Sequence, residues 1–172
     1  MHEFQKVDFD QFEVNPFDKI GKDWMLVTAG NEEKANTMTA SWGGMGVMWG
    51  KNVVFVFIRD SRFTKEFIDR EGRFSLSFPS EEYRKEMKFL GTVSGRDEDK
   101  IKEAGVHVAY HDGVPYIDEG KEILLCRVMS ETPITQDEFK DEKIDAAWYA
   151  DQDYHKMYIA EITDILARSK RL

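Results

Sequence analysis

The sequence predicts a mainly β domain, a small antiparallel barrel that carries a few short helices. Three observations lead there. Strand-like apolar runs come first, two short helical stretches fall in the middle, and strand-like runs return at the end. There is no alternation of strand and helix of the kind that builds a doubly wound parallel sheet. The 172 residues are 41% hydrophobic and 13% aromatic, which suits one packed domain over 1–172 and argues against disorder.

The elements follow in order. Residues 1–23 are mixed and polar, with Phe9, Phe12 and Phe17 as expected anchors and Asn15–Pro16 as an expected turn. Trp24–Gly30 reads as a strand, 31–36 as a polar hairpin connection, and Thr37–Trp42 as the returning strand. Gly43–Gly50 is too rich in glycine for a regular element. Val53–Ile58, V-V-F-V-F-I, is a continuous run of β-formers and is expected to be a strand buried on both faces.

Thr64–Arg70 reads as a short helix, capped by Thr64 and ended by Gly72. Arg73–Phe78 alternates, with Phe74, Leu76 and Phe78 on one face and Ser75 and Ser77 on the other, as in a half-buried strand. Glu81–Leu90 reads as a helix with Tyr83, Met87 and Leu90 on one side, and Asp97–Ala104 as a second helix stopped by Gly105. Lys121–Ser130 is a clear strand, and Ile144–Trp148 is at most a helical turn. Lys156–Ala167 fits a helix through Ile159, Ile162 and Leu166, yet Y-I-A-E-I also fits a strand.

Charge and cysteine content narrow the function. There are 24 Lys and Arg against 33 Asp and Glu, a net charge of -9. Such a chain does not attract nucleic acid or an anionic membrane through its overall field, so any affinity for phosphate is local. The single cysteine, Cys126, excludes an internal disulfide and a cysteine metal cluster. The four histidines show no ligand spacing, so no metal site is expected, and the lack of paired axial ligands weighs against haem. The start has no signal-peptide pattern, no run reaches the length of a membrane span, and S-K-R-L at the end is not the peroxisomal tripeptide. A cytoplasmic protein is the expectation.

Two stretches point to a ligand. In N-T-M-T-A-S-W-G-G-M-G, Asn36–Gly46, small residues, hydroxyls and glycines follow one strand-like run and precede another. Thr37, Thr39 and Ser41 share a face, which reads either as a solvent face or as a strand that bonds the polar edge of a heterocycle. Trp42 and Trp49 bracket the glycine loop, and an aromatic beside small residues can cover a flat ring. The second stretch, Arg59, Ser61, Arg62 and Thr64, stands between a buried strand and a helix start, where free N–H groups and guanidinium forks suit a phosphate. Ser94, Gly95 and Lys100, in S-G-R-D-E-D-K, read either as a charged solvated turn or as a second contact to that phosphate.

With W-M-L-V-T-A-G, N-T-M-T-A-S-W-G-G, F-I-R-D-S-R-F-T, F-S-L-S-F, S-G-R-D-E-D-K, L-L-C-R-V and H-K-M-Y-I-A-E-I in that order, the chain resembles the flavin reductase-like, FMN-binding split-barrel proteins, in particular the flavoredoxin-like branch. The resemblance covers about residues 20 to 167. It implies a six-stranded antiparallel Greek-key split barrel and a homodimer with non-covalent FMN near the interface. It also implies a strand for the ambiguous C-terminal stretch. Asn36 and Met38, Thr39, Ala40, Ser41 and Trp42 then lie along the ring and ribityl chain. Arg59, Ser61, Arg62 and Thr64 surround the phosphate, helped by Ser94, Gly95 and Lys100. Tyr154 and His155 fall near the flavin, with the contributing subunit left open. Asp60 stands where relatives often carry proline, and its carboxylate is expected to point away.

The resemblance further implies an oxidoreductase that passes electrons from NAD(P)H through FMN to an acceptor. The flavin carries the chemistry, and backbone N–H groups of Thr39–Ser41 stabilise charge that develops on it. His155 is the candidate proton carrier. The alternative is a flavoredoxin-type carrier between redox protein partners, kept open by the lack of a visible nicotinamide-binding motif. Arg59→Ala is expected to weaken FMN binding by about 1–3 kcal/mol, the range of a charged hydrogen bond.

Overall fold

The computed structural model describes residues 1–169; Lys170, Arg171 and Leu172, and with them most of the S-K-R-L stretch, lie outside it. Ten strands and five α-helices occur among the described residues, besides three short 3₁₀ turns: β1 (Phe4–Lys6), α1 (Pro16–Gly21), β2 (Met25–Gly30), β3 (Ala35–Ala40), β4 (Gly43–Met48), β5 (Lys51–Arg59), α2 (Phe63–Glu71), β6 (Arg73–Pro79), α3 (Arg84–Thr92), α4 (Lys100–Ala104), β7 (Val108–His111), β8 (Val114–Ile117), β9 (Gly120–Pro133), α5 (Lys143–Trp148) and β10 (His155–Arg168). None of the helices is long and apolar enough to cross a membrane.

The main sheet is antiparallel and runs β3-β2-β6-β9-β10-β5-β4, with β1 also paired to β10. The expected antiparallel architecture holds, with more strands than the six expected. β9 and β10, of 14 residues each, form its spine. β10 serves two neighbours in turn: His155–Glu161 pair with β5, and Leu166–Arg168 pair with β1. Register shifts near Ile159 and Ile162 mark bulges, which bend long strands and let a sheet curl. The outermost strands, β3 and β4, are joined by Ser41 and Trp42 alone. Three peptide steps span at most ~11 Å, so the two ends of the sheet must meet. The result is a barrel with a seam between β3 and β4.

The core inside it includes Met25, Val27, Val54, Ile58, Phe74, Leu76, Phe78, Leu124 and Tyr158, each almost wholly buried. Phe12 packs against this core as expected, but Phe17 is 84% exposed and Phe9 is also exposed. Asn15–Pro16 is a helix start rather than a free turn. The Asn15 side chain accepts from the Phe17 N–H at 3.1 Å, and Pro16 takes the first helical position, where no N–H is needed.

Gly43–Met48 is a strand, against expectation. Its glycines gain from a neighbour: a Cβ at Gly44 or Gly46 would rest in ordinary contact with the Phe55 ring, so that ring covers the bare backbone of β4. β5 buries Val53, Val54, Val56 and Ile58, while Phe55 and Phe57 stay half-buried. β6 is buried on both faces, not one. Ser75 Oγ donates to Pro115 O and Ser77 Oγ accepts from the Ile117 N–H, so the β7–β8 hairpin lies over the serine face.

The helix ends are set locally. Arg62, not Thr64, occupies the N-cap of α2, and Gly72 ends that helix in the left-handed conformation (φ 65°). α3 begins at Arg84 after a single 3₁₀ turn, later than expected, and buries Met87 and Leu90. α4 begins at Lys100 under an Asp99 cap and stops at Gly105. The C-terminal stretch is a strand, as the resemblance implied.

Candidate functional site

Beside the seam lie two adjoining clefts that share Met38, Arg59 and Arg62. The larger, of about 380 Å³, is walled by Asn36 of β3, the turn from Arg59 to Thr64, the end of α3 through Thr92 and Val93, the Ser94–Gly95 turn and Lys100. The smaller, of about 180 Å³, is walled by Met38–Trp42 together with Phe57, Trp148 and His155.

Asn36 is the joint of the larger cleft. Its Nδ2 donates to Thr64 Oγ1 at 2.8 Å, which ties β3 to the first turn of α2. Its Oδ1 presses on Gly95, where a Cβ would lie only 2.1 Å away, so the turn needs glycine for contact rather than for φ. Arg96 Nη1 donates to Ser61 O at 2.9 Å and links the two turns.

Three cations reach this cleft, and they are held differently. Lys100 is buried and donates to the Leu90 and Val93 carbonyls at 2.8 and 2.9 Å. These are carbonyls at the end of α3, the negative pole of that helix. Burial, and then the nearby Arg62 guanidinium, lower the Lys100 pKa to about 8. Arg62 donates to Gly91 O at 2.8 Å, and burial followed by Arg59 pulls its pKa down as well. Among the described residues neither Arg62 nor Lys100 has a carboxylate within salt-bridge distance. A buried ammonium and a half-buried guanidinium, neither in contact with a carboxylate, favour an anion beside them.

Arg59, by contrast, is spent on the protein. It donates to Asp153 O at 2.7 Å and Trp148 O at 3.0 Å, pairs with Asp151 at 3.5 Å, and lies over the Tyr149 ring. Ser61 is spent likewise: its N–H and Oγ both donate to the Asp153 carboxylate, at 3.2 and 2.5 Å. Asp60 points away and lies 3.7 Å from Lys65, as expected.

The smaller cleft is aromatic. Trp42 meets Trp148 edge to face at 5.0 Å and His155 at the same distance. His155 Nδ1 lies 2.7 Å from the Tyr149 hydroxyl. Burial, then Arg59, lower the His155 pKa to about 4, so the imidazole is neutral near pH 7. With the phenol as donor, the proton of the neutral ring resides on Nε2; this tautomer is assigned from the hydrogen bond.

The hydroxyl face of β3 is neither a solvent face nor a row of free ligand donors. Thr37 is buried, donates to Val27 O and meets the Thr28 hydroxyl at 2.9 Å. Thr39 donates to Met87 O and fastens β3 to α3. β3 still ends the sheet, so alternate backbone groups on its outer side have no strand partner.

The structure thus brings Asn36, Met38, Thr39, Ala40, Ser41, Trp42, Arg59, Ser61, Arg62, Thr64, Ser94, Gly95, Lys100 and His155 to one pair of clefts. Tyr154 lines neither. Its hydroxyl donates to Asp145 at 2.6 Å, which raises its pKa to about 12, and its ring stacks on Tyr149. Trp49 lines neither cleft and is 58% exposed. Phe57, Trp148, Thr92, Val93, Asp151 and Asp153 line the clefts without having been foreseen. Phe57 stands two residues before Arg59 on the same strand face, a signal that alternation could have supplied. His111, Asp112 and Asp164 form a group whose ligating atoms lie within 4.8 Å of one another, but Lys6 already pairs with Asp164.

Comparison with known proteins agrees with this architecture. The model of the flavin reductase like domain family matches residues 17–172. Among solved structures, an FMN-binding domain of a flavin reductases-like enzyme from Shewanella baltica OS155 superposes with a TM-score of 0.69 at 19% identity, covering 97% of this chain and 78% of that one. Flavoredoxin from Methanosarcina acetivorans gives 0.67 at 26% identity, with 87% and 70% covered. An uncharacterised protein of Archaeoglobus fulgidus is 33% identical over 101 residues, 58% of this chain and 56% of its own length. The aligned stretches span about half the length of the curated relatives the chain matches. With nearly its whole length matched by the family model, the chain belongs to the flavin reductase like domain family.

Proposed function

We propose that this domain binds FMN non-covalently and passes electrons from a reduced nicotinamide nucleotide through it to an acceptor. The observation that carries the reading is the pair of cations, buried Lys100 and half-buried Arg62, with no carboxylate in contact among the described residues, beside a cleft that opens onto an aromatic one. A phosphate monoester matches the first cleft in charge, and the close approach at Gly95 gives that wall bare backbone. The second cleft sets the aromatic rings of Trp42, Phe57, Trp148 and His155 beside polar groups of β3, a mixture suited to a tricyclic ring with a polar edge.

When bound, the flavin supplies hydride acceptance and electron transfer. The chain does the rest. Arg62 and Lys100 hold the phosphate. The unpaired outer backbone groups of β3 offer donors to the polar edge of the ring, where charge develops on reduction. Trp42 and Trp148 limit water at the mouth of the ring cleft. His155 is kept neutral by its burial and then by Arg59, with an Nε2–H available as a donor.

A second reading, a carrier that exchanges electrons with protein partners and oxidises NAD(P)H poorly, is favoured by the likeness to a flavoredoxin. Mass analysis of the released cofactor tests FMN itself, and FMN at 100 times its Kd should add about 2.7 kcal/mol of stability. Anaerobic addition of NADH or NADPH separates the readings: bleaching of the flavin band is expected of a reductase, and an unchanged band would leave the carrier. We also propose a homodimer. Val47 and Trp49, exposed at the terminal strand β4 and just beyond it, offer apolar surface for it, and light scattering reads the mass.

A further inference from the structure

Resting on the reading of the larger cleft as a phosphate site, we infer that the Asp153 carboxylate is an internal stand-in for phosphate. A phosphorylated ligand displaces it and loosens the Trp148–Asp153 segment at the mouth of the ring cleft.

Ser61 holds the Asp153 carboxylate. Its N–H and its hydroxyl, at the turn between β5 and α2, converge on one carboxylate that stands 92 residues further along the chain. A turn N–H and a hydroxyl aimed at one anion are the donors that a phosphate monoester uses at such a position. Asp153 therefore satisfies donors that a phosphate would otherwise claim, and Asp151 stands beside it in the same cleft. A dianion drawn to Arg62 and Lys100 meets both carboxylates as like charges. It must compete with Asp153 for Ser61 or push it aside.

The segment is built so that such a push would travel. One guanidinium, that of Arg59, grips it twice through the main chain, at Asp153 O and at Trp148 O. Between these points Tyr149 holds His155 Nδ1, and Trp148 lies against Trp42 in the ring cleft. Gln152, next to Asp153, has a φ of 60°, a left-handed conformation that a residue other than glycine keeps when its surroundings hold it there. Release of Asp153 removes one of those restraints and slackens Trp148 with it.

Asp153 is thus a positioning residue, and its effect should depend on the ligand's phosphate. The test compares wild type with Asp153→Asn for FMN and riboflavin by flavin fluorescence, and follows tryptophan emission during titration with inorganic phosphate. Asp153→Asn is expected to tighten FMN binding about three- to tenfold, the scale of one ordinary hydrogen bond, and to leave riboflavin affinity unchanged. Phosphate is expected to change the tryptophan emission of wild type, and Trp148→Phe should abolish that change. FMN affinity that does not move in Asp153→Asn, an equal gain for riboflavin, or wild-type emission that stays constant through the titration would overturn the inference. If FMN binds no variant, the function proposed above fails, while the phosphate titration on wild type still decides the fate of Asp153.

Discussion

Arg59 and Arg62 stand three residues apart on one turn, and both face the same cleft, yet they are used in opposite ways. Arg59 has two main-chain carbonyls, an acidic partner and an aromatic ring, all from the segment before β10. Arg62 has one carbonyl and no carboxylate, and its companion Lys100 has two carbonyls and no carboxylate. A cation whose hydrogen bonds the protein already consumes acts as a fastener. A buried cation left without a counter-charge is kept at a cost in desolvation, and an anionic ligand is what lowers that cost.

This contrast can be broken by substitution. The largest effect is expected at Lys100 and Arg62. Lys100→Met should weaken FMN by about 1.5–3 kcal/mol, roughly 10- to 150-fold, and Arg62→Ala should act similarly, both with riboflavin affinity little changed. Equal losses for the two ligands would show that these cations shape the fold and do not hold phosphate. Gly95→Ala comes next. The new methyl meets Asn36 Oδ1, so a loss of about 1–3 kcal/mol in unfolding free energy is expected from overpacking, seen as a lowered denaturant midpoint.

Arg59→Ala is the sharper half of the comparison. The composition of the turn gave Arg59 the same expected loss as a phosphate ligand, but its geometry assigns it to the 148–153 segment. Its direct effect on FMN should be under about 1 kcal/mol, the net value of an ordinary hydrogen bond. Faster amide exchange in residues 148–154 should accompany it. A loss as large as that of Arg62→Ala would erase the distinction.

The pH dependence divides the two clefts in the same way. The pKa of Lys100 lies near 8 in the folded chain, against an ordinary value near 10.5. Between these values the unfolded chain binds a proton that the folded one does not, so this group makes ligand-free stability rise with pH across that window. FMN affinity should move the other way and fall as pH rises through 8, because the deprotonated amine no longer attracts phosphate. His155 titrates near 4 instead of 6.5, so it makes stability fall as pH drops from 6.5 towards 4. His155→Asn should flatten that acid limb.

Much of the barrel was legible in the chain because its strands announce themselves locally. V-V-F-V-F-I is a run of β-branched and aromatic residues, and L-L-C-R-V is an apolar run of strand length. The β7–β8 hairpin was overlooked although its signal is present: Asp112–Gly113, both at positive φ, form the tight turn between Val108–His111 and Val114–Ile117. β4 was illegible for a sound reason, since its glycines become a strand only when the Phe55 ring of the next strand covers them. The cleft shows the same division. Arg62, Lys100, Ser94 and Gly95 could be named from residue type and from position beside helix ends. Asp153 and Trp148 could not, because neither carries a mark of its purpose and each enters the site only through the fold.

By itself, then, the chain determined its β-rich class, the helix stops at Gly72 and Gly105, and the set of residues capable of meeting a phosphorylated ring. Those properties depend on neighbours a few positions away, through backbone conformation, side-chain chemistry and alternation. Which arginine keeps donors free for a ligand and which one fastens the chain was decided only by the tertiary structure. That choice depends on partners about ninety residues distant, brought to Arg59 by the pairing of β5 with β10, and no local pattern encodes it.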